Sequence, residues 1–194
     1  MTSRPLHETD AQATASPRGP FVMTASGHPF FLFDPKPEEV LLRDIAHSLA
    51  FQCRWTGHTT RFLSVAEHCV YAAGLCPALG ALLHDAPEAY VGDNSRPLKA
   101  GVSALGKIEQ GIWEAIAARF NISPDLPRAV HEADQLALAA EIDQGFLAKP
   151  IGFEWERLPP APATRLIGWP PERARYEFLA CYHDLWKGKN RHDN

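Results

Sequence analysis

The stretch Ala81-Leu82-Leu83-His84-Asp85 runs three apolar residues straight into a histidine and an aspartate, and Glu88 follows one helical turn later. Carrying charge into an apolar interior is costly unless the charge is paired or bound to a metal. A chain that buries this segment must therefore bring partner groups to it from elsewhere. On an ideal helix neighbouring side chains point about 100° apart. Glu88 is four residues from His84 and three from Asp85, so it shares their side.

Most of the remaining sequence reads as helices able to supply such partners. Residues 41–52 put Ile45, Leu49 and either Leu41 or Leu42 on one face. Ser64 and Glu67 have the S-x-x-E spacing of a capping box, which starts the next helix at Ser64 and sets His68 just after its first turn. Pro77 is expected to open "PALGALLHDA". Pro87 cannot donate to the carbonyl four residues back, so a kink or stop is expected there. Leu105, Ile108, Ile112, Ile116 and Phe120 recur at helical spacing over 102–120. Pro124 is expected to open a long run that carries Asp134 ahead of mostly apolar residues. Residues 148–171 are proline-rich and read as an extended loop, before a last helix, "PERARYEFLACYHDLW". Near the N-terminus, two short apolar runs flank Ser26-Gly27 within residues 21–33, which predicts a small β-hairpin lying against the helices. The expected fold is all-α, a helical bundle with that one hairpin.

The length of 194 residues suits one domain. The reading is a flexible tail over 1–20, a single domain over 21–188 and a short C-terminal tail over 189–194. Nineteen Lys and Arg stand against 23 Asp and Glu, a net charge of −4, which argues against a general nucleic-acid binder. No apolar run approaches the ~20 residues of a membrane span, and "MTSRPLHETDAQATASPRGP" lacks the apolar core of a secretory signal. Cys53, Cys69, Cys76 and Cys181 form no CxxC pair, so reduced thiols in a cytoplasmic protein are expected.

Two further groups complete a cation site around His84 and Asp85: His68 from the capped helix and Asp134 from the long one. Two imidazoles and two carboxylates make a mixed nitrogen and oxygen set, suited to one divalent Mn, Co, Zn, Fe or Mg rather than to a sulfur-loving ion. Each residue has a plainer reading when taken alone: a satisfied core histidine, a surface charge, a paired arginine. Glu132 and His131 stand close to Asp134 and compete with it as the ligand.

The order His68, then His84-Asp85, then Asp134 resembles the H…HD…D pattern of the HD-domain metal-dependent phosphohydrolases. "CRWTGHTTRFLSVAEH" and "LLHDAPEAYVGDNSRPLK" resemble the corresponding segments of the YfbR-like 5′-deoxynucleotidases and of a related phage and bacterial group that includes dATP triphosphohydrolases. The likeness covers roughly residues 21 to 187. It implies a helical bundle around one metal held by His68, His84, Asp85 and Asp134. It assigns Glu88 and Asp93 as catalytic carboxylates, either of which serves as acid or base. It makes Arg54 and Lys99 phosphate contacts and Trp55 a contact for sugar or base. It also implies homo-oligomers and a small-molecule nucleotide substrate.

The leading expectation is a 5′-deoxynucleotidase converting dNMP to deoxynucleoside and phosphate. The rival is a dNTP triphosphohydrolase releasing tripolyphosphate, with Arg96 or Arg61 serving the longer phosphate chain. A non-catalytic nucleotide-binding regulatory module is the alternative of another class.

Overall fold

A computed structural model of the chain describes residues 16–148, 151 and 158–192, with side chains to 189. The expected tail up to residue 15, positions 149–150 and 152–157 of the expected loop, and residues 193–194 lie outside the described residues.

The hairpin forms. β1 (Phe21–Met23) pairs antiparallel with β2 (Pro29–Phe31), with Phe21 opposite Phe31 and Val22 opposite Phe30. The turn uses Gly27 at φ 81°, a conformation that costs glycine nothing. Helix α1 (Leu42–Phe51) holds the turn: buried Asp44 accepts hydrogen bonds from the Ser26 amide (2.9 Å) and hydroxyl (2.7 Å). Phe30 is fully buried and stacks on Tyr90 at 3.7 Å. Residues 16–20, read above as the end of the tail, are seated as well. Ser16 bridges to Gly19, and Arg18 pairs with Asp34 and Glu39 and lies 4.0 Å over the Phe31 ring.

Helix α2 (Val65–Leu75) is buried along nearly its whole length. Ser64 caps it by accepting the Glu67 amide at 3.0 Å. Only half of the expected capping box is present. The Glu67 carboxylate does not return to Ser64 but accepts the backbone N–H groups of Ile167 (2.7 Å), Gly168 (2.9 Å) and Trp169. It thereby fastens the proline-rich segment before the last helix onto α2. Gly168 permits the close approach: its φ is +78°, and a Cβ there would lie 3.0 Å from the Phe62 carbonyl oxygen. Glu67→Ala would strand three amides, so we expect a loss of at least about 2 kcal/mol and a melting temperature lower by at least roughly 4 °C. An unshifted thermal melt would refute that account.

Two helix starts differ from expectation, and the break expected at Pro87 forms. α3 (Leu79–Leu83) starts after Ala78, not at Pro77, because Ala78 is extended (φ −141°, ψ 145°). The helix then ends, and α4 (Glu88–Val91) begins after Pro87. With no N–H on Pro87, the Leu83 carbonyl instead accepts from Ala86 at 2.9 Å, a tighter turn. His84 and Asp85 therefore sit in a break between two helices rather than on a continuous one. α7 (Arg128–Asp143) starts after Pro127, not at Pro124, because Leu126 precedes a proline and is biased away from helical ψ.

Lys99 lies on the short α5 (Arg96–Gly101), which buries no side chain. α6 (Ser103–Arg119) follows, its Ile112 and Ile116 fully buried. The last helix, α8 (Pro171–His192), runs beyond Lys187 to His192 and packs on α1, α2 and α3, while α2 also packs on α3 and α7. Among the described residues no helix is long and apolar enough to cross a membrane, and all four cysteines are free thiols.

Candidate metal centre

The four residues expected to surround a cation converge from three parts of the chain. His68 comes from α2, His84 and Asp85 from the break between α3 and α4, and Asp134 from α7. His68 Nε2 lies 3.2 Å from His84 Nε2, 3.6 Å from Asp85 Oδ2 and 3.2 Å from Asp134 Oδ1. His84 Nε2 lies 3.4 Å from Asp85 Oδ2 and 3.7 Å from Asp134 Oδ1. Ligand atoms about 2.0–2.2 Å from a shared ion stand roughly 3.0–3.6 Å apart, which is this spacing. His68, His84 and Asp134 form one group able to hold a metal ion; buried Cys69, with His84 and Asp85, forms a second that shares its residues.

The positions of the protons show how this cluster could hold a cation. The His84 Nδ1 faces the Ala81 carbonyl oxygen at 2.8 Å, and a carbonyl only accepts, so Nδ1 carries the hydrogen. The His68 Nδ1 faces Glu141 Oε1 at 2.8 Å, and Glu141 is a buried carboxylate held down at about 2. Burial opposes its ionisation, but Arg54 and His68 outweigh burial. Nδ1 is thus the donor in both neutral rings, and both Nε2 atoms turn lone pairs toward each other and toward two carboxylates. The surrounding field states the same demand for positive charge. Burial alone would lower the His84 imidazole, yet Asp85 and Asp134 lift it to about 9. Asp134 is held far below the usual carboxylate range, against burial, by both histidines. A proton on one ring would meet part of this demand; a divalent ion meets four lone pairs at once.

Glu141, the carboxylate behind the cluster, was not singled out from sequence. It is fully buried. It orients His68, lies 2.8 Å from Arg54 Nε, and accepts the Trp55 indole N–H at 2.9 Å. A signal was present: Glu141 follows Asp134 by seven residues, two helical turns, as a lone acid ending the apolar run "LALAA".

Arg54 lies between Glu141 and Asp85 Oδ2 (3.4 Å), its side chain only 11% exposed. Trp55 and Thr56 follow at φ 58° and 53°, a left-handed region that a tryptophan rarely enters and that costs of order 1–3 kcal/mol. Such strain is retained where the backbone serves a site.

Glu88 faces the same centre from α4. Its carboxyl is pushed up to about 9, first by burial, then by the charges of Asp85 and Asp93. α1 positions this helix: Gln52 donates to the Glu88 carbonyl (3.0 Å) and accepts the Asp93 amide (3.1 Å), and Ser48 donates to the Ala89 carbonyl (2.8 Å). Gly92 makes the turn to Asp93 at φ 84°, ψ 161°. Lys99 stands between Glu88 (3.4 Å) and Glu109 (3.0 Å).

A cleft of about 480 Å³ opens on His84, Asp85 and Glu88 and runs past Lys99 and Glu109 to Trp113. Among the described residues, Glu88 Oε2 and Asp93 Oδ2 are buried side-chain oxygens here without a hydrogen-bond partner, while Arg54 Nε and Glu109 Oε1 are held by ion pairs alone. Two such oxygens beside one cluster suit a place that takes a polar ligand; the other buried polar atom of this kind among the described residues, the Tyr90 hydroxyl, belongs to the residue stacked on Phe30.

No protein-family model matches the chain. The uncharacterized protein YfdR of Escherichia coli is 34% identical over 171 residues, covering 85% of this chain and 95% of YfdR. An uncharacterized protein of Rhodobacter capsulatus is 35% identical over 186 residues, covering 82% of this chain and 92% of that protein.

Proposed function

The chain belongs to the same protein family as YfdR of Escherichia coli, and we propose that it is a metal-dependent phosphohydrolase of the HD-domain kind, acting on deoxynucleoside 5′-monophosphates. The observation that supports this best is the set of four lone pairs from His68, His84, Asp85 and Asp134, turned toward one another with the ring protons committed elsewhere. These residues would hold one divalent ion: Mn, Co, Zn, Fe or Mg. When bound there, such an ion polarises a phosphoryl oxygen and acidifies water.

The chain's own residues supply the rest. Water adds to phosphorus, the bond from phosphorus to the 5′ oxygen breaks, and the leaving oxygen needs a proton. Glu88, whose proton burial and the neighbouring charges of Asp85 and Asp93 favour in the metal-free protein, is the candidate to give it. The Asp93 charge helps keep that proton on Glu88. Arg54 and Lys99 add fixed positive charge, and the half-buried Trp55 is the contact for sugar or base. Cleft composition favours one phosphate over three. Three carboxylates, Asp85, Glu109 and Asp125, and the carboxyl of Glu88 line it against one lysine, a poor lining for a tetra-anionic chain.

A panel of nucleotides assayed with several divalent metals tests the reading. Inorganic phosphate released from dNMPs is the expected result. Tripolyphosphate from dNTPs would replace it with the rival reaction, and no hydrolysis under any metal would end it.

Glu88→Gln keeps the shape of the neutral acid but has no proton to give. We expect kcat to fall about 10²–10⁴-fold with the fold intact. In metal-free protein, wild type should lose stability relative to this variant as pH climbs from the ordinary glutamate value, 4.5, toward about 9. The native state holds that proton more tightly than the unfolded chain does. Parallel melts across that range check the sign.

A further inference from the structure

Among the described residues, three cations stand near the cluster, and they differ in what already occupies them. Arg54 is buried between Glu141 and Asp85. Lys99 is pinned between Glu88 and Glu109. Arg96 is 66% exposed, and its carboxylate contact is a loose 3.9 Å from Nη2 to Asp134 Oδ2. That oxygen is not the one facing the histidines: Oδ1 approaches His68 and His84. Arg96 therefore sits at the rim of the cluster, within a phosphate's width of the ligand atoms, with its guanidinium largely in solvent. Arg61, the other arginine considered for phosphate, lies 3.9 Å over the Phe146 ring.

The place of Arg96 in its own helix is unfavourable. It is the first residue of α5, where the helix dipole disfavours a cation. α5 buries no side chain, packs on α6, and follows the glycine turn at Gly92. A largely exposed cation at the first residue of a short helix, beside a cluster of carboxylates that a phosphate must approach, has a reason to be there if it neutralises that phosphate. We propose that Arg96 grips the substrate's phosphate, its guanidinium leaving Asp134 to form a two-pronged contact with the phosphoryl oxygens. The proposal deepens the phosphohydrolase reading and rests on it for the identity of the substrate. A planar guanidinium matches two phosphoryl oxygens at once, which an ammonium does not.

The test uses the full chain loaded with Mn²⁺ and inorganic phosphate as the probe, read by thermal shift, beside kinetics on dNMPs. Wild type should bind phosphate. Arg96→Ala should weaken phosphate binding and raise KM at least tenfold. Arg96→Lys should recover part of both, and Arg173→Ala, a surface control on α8, should change neither. Mn²⁺ affinity should not fall in Arg96→Ala, which separates gripping phosphate from merely steadying Asp134. Wild-type phosphate affinity or KM in Arg96→Ala, an absence of phosphate binding in wild type, or a loss confined to Mn²⁺ affinity would overturn the proposal. Arg96-dependent phosphate binding without hydrolysis of any nucleotide would instead sink the enzyme reading and leave this phosphate site standing.

Discussion

Asp85→Ala is expected to lower turnover by on the order of 10³-fold or more while the helices stay folded. The size follows from the chemistry. A divalent ion contributes several kcal/mol of charge stabilisation in phosphoryl transfer, and each ~1.4 kcal/mol is a factor of ten. Asp85 is the carboxylate that faces His68 at 3.6 Å, His84 at 3.4 Å and Arg54 at 3.4 Å. Without it the cluster keeps two imidazoles and Asp134 but loses half of its negative charge. The backbone of residues 84–87 is set by Pro87 and the Leu83–Ala86 hydrogen bond, neither of which involves the Asp85 side chain. Metal binding provides the second readout. Mn²⁺ at a hundred times its dissociation constant stabilises a binder by about 2.7 kcal/mol, a melting shift of roughly 5–11 °C for a chain of this size. Wild type should show that shift and Asp85→Ala should lose most of it. Unchanged hydrolysis in a metal-replete assay of the variant would remove the enzyme reading.

Glu141→Ala should cost the most stability, about 3–5 kcal/mol. The carboxylate is fully buried and answers three groups at once: the Arg54 guanidinium, the His68 Nδ1–H and the Trp55 indole N–H. Removing it leaves a buried arginine short of its counter-charge and frees the His68 ring to turn. Metal affinity should fall about 10–100-fold, as expected when the group that orients a ligand histidine is lost. Glu141→Gln tells the two effects apart. It preserves volume and can still accept the His68 N–H, so it should keep more of the metal affinity than of the stability. Chemical denaturation and metal titration on both variants measure the split. A Glu141→Ala protein as stable as wild type would mean that Arg54 finds another partner.

How much of this was legible beforehand can be argued residue by residue. His84-Asp85 was conspicuous because charge following an apolar run has few physical explanations. His68 followed from the Ser64 cap, which numbers the helix and so places the next turn. The hairpin was announced by Ser26-Gly27 between apolar runs. Glu67 was half legible: its amide takes the cap, but its carboxylate goes to amides a hundred residues on. Arg96 was legible only as a contact for the longer phosphate chain of the rival reaction, beside Arg61. Glu141 was passed over, although its spacing from Asp134 was in view, because nothing local marks an acid at a helix end as buried.

The sequence by itself determined which side chains have metal chemistry and which stretches coil, because ligand type and helical period are properties of a residue and its near neighbours. Only the tertiary structure decided that α2, the 84–87 break and α7 meet within 3.2–3.7 Å, that Glu141 stands behind His68, and that Arg54 is buried between two carboxylates while Arg96 keeps one loose contact at the rim. Those facts depend on contacts between segments 16 to 86 residues apart along the chain. Such contacts arise from how helices pack, which no window of neighbouring residues encodes.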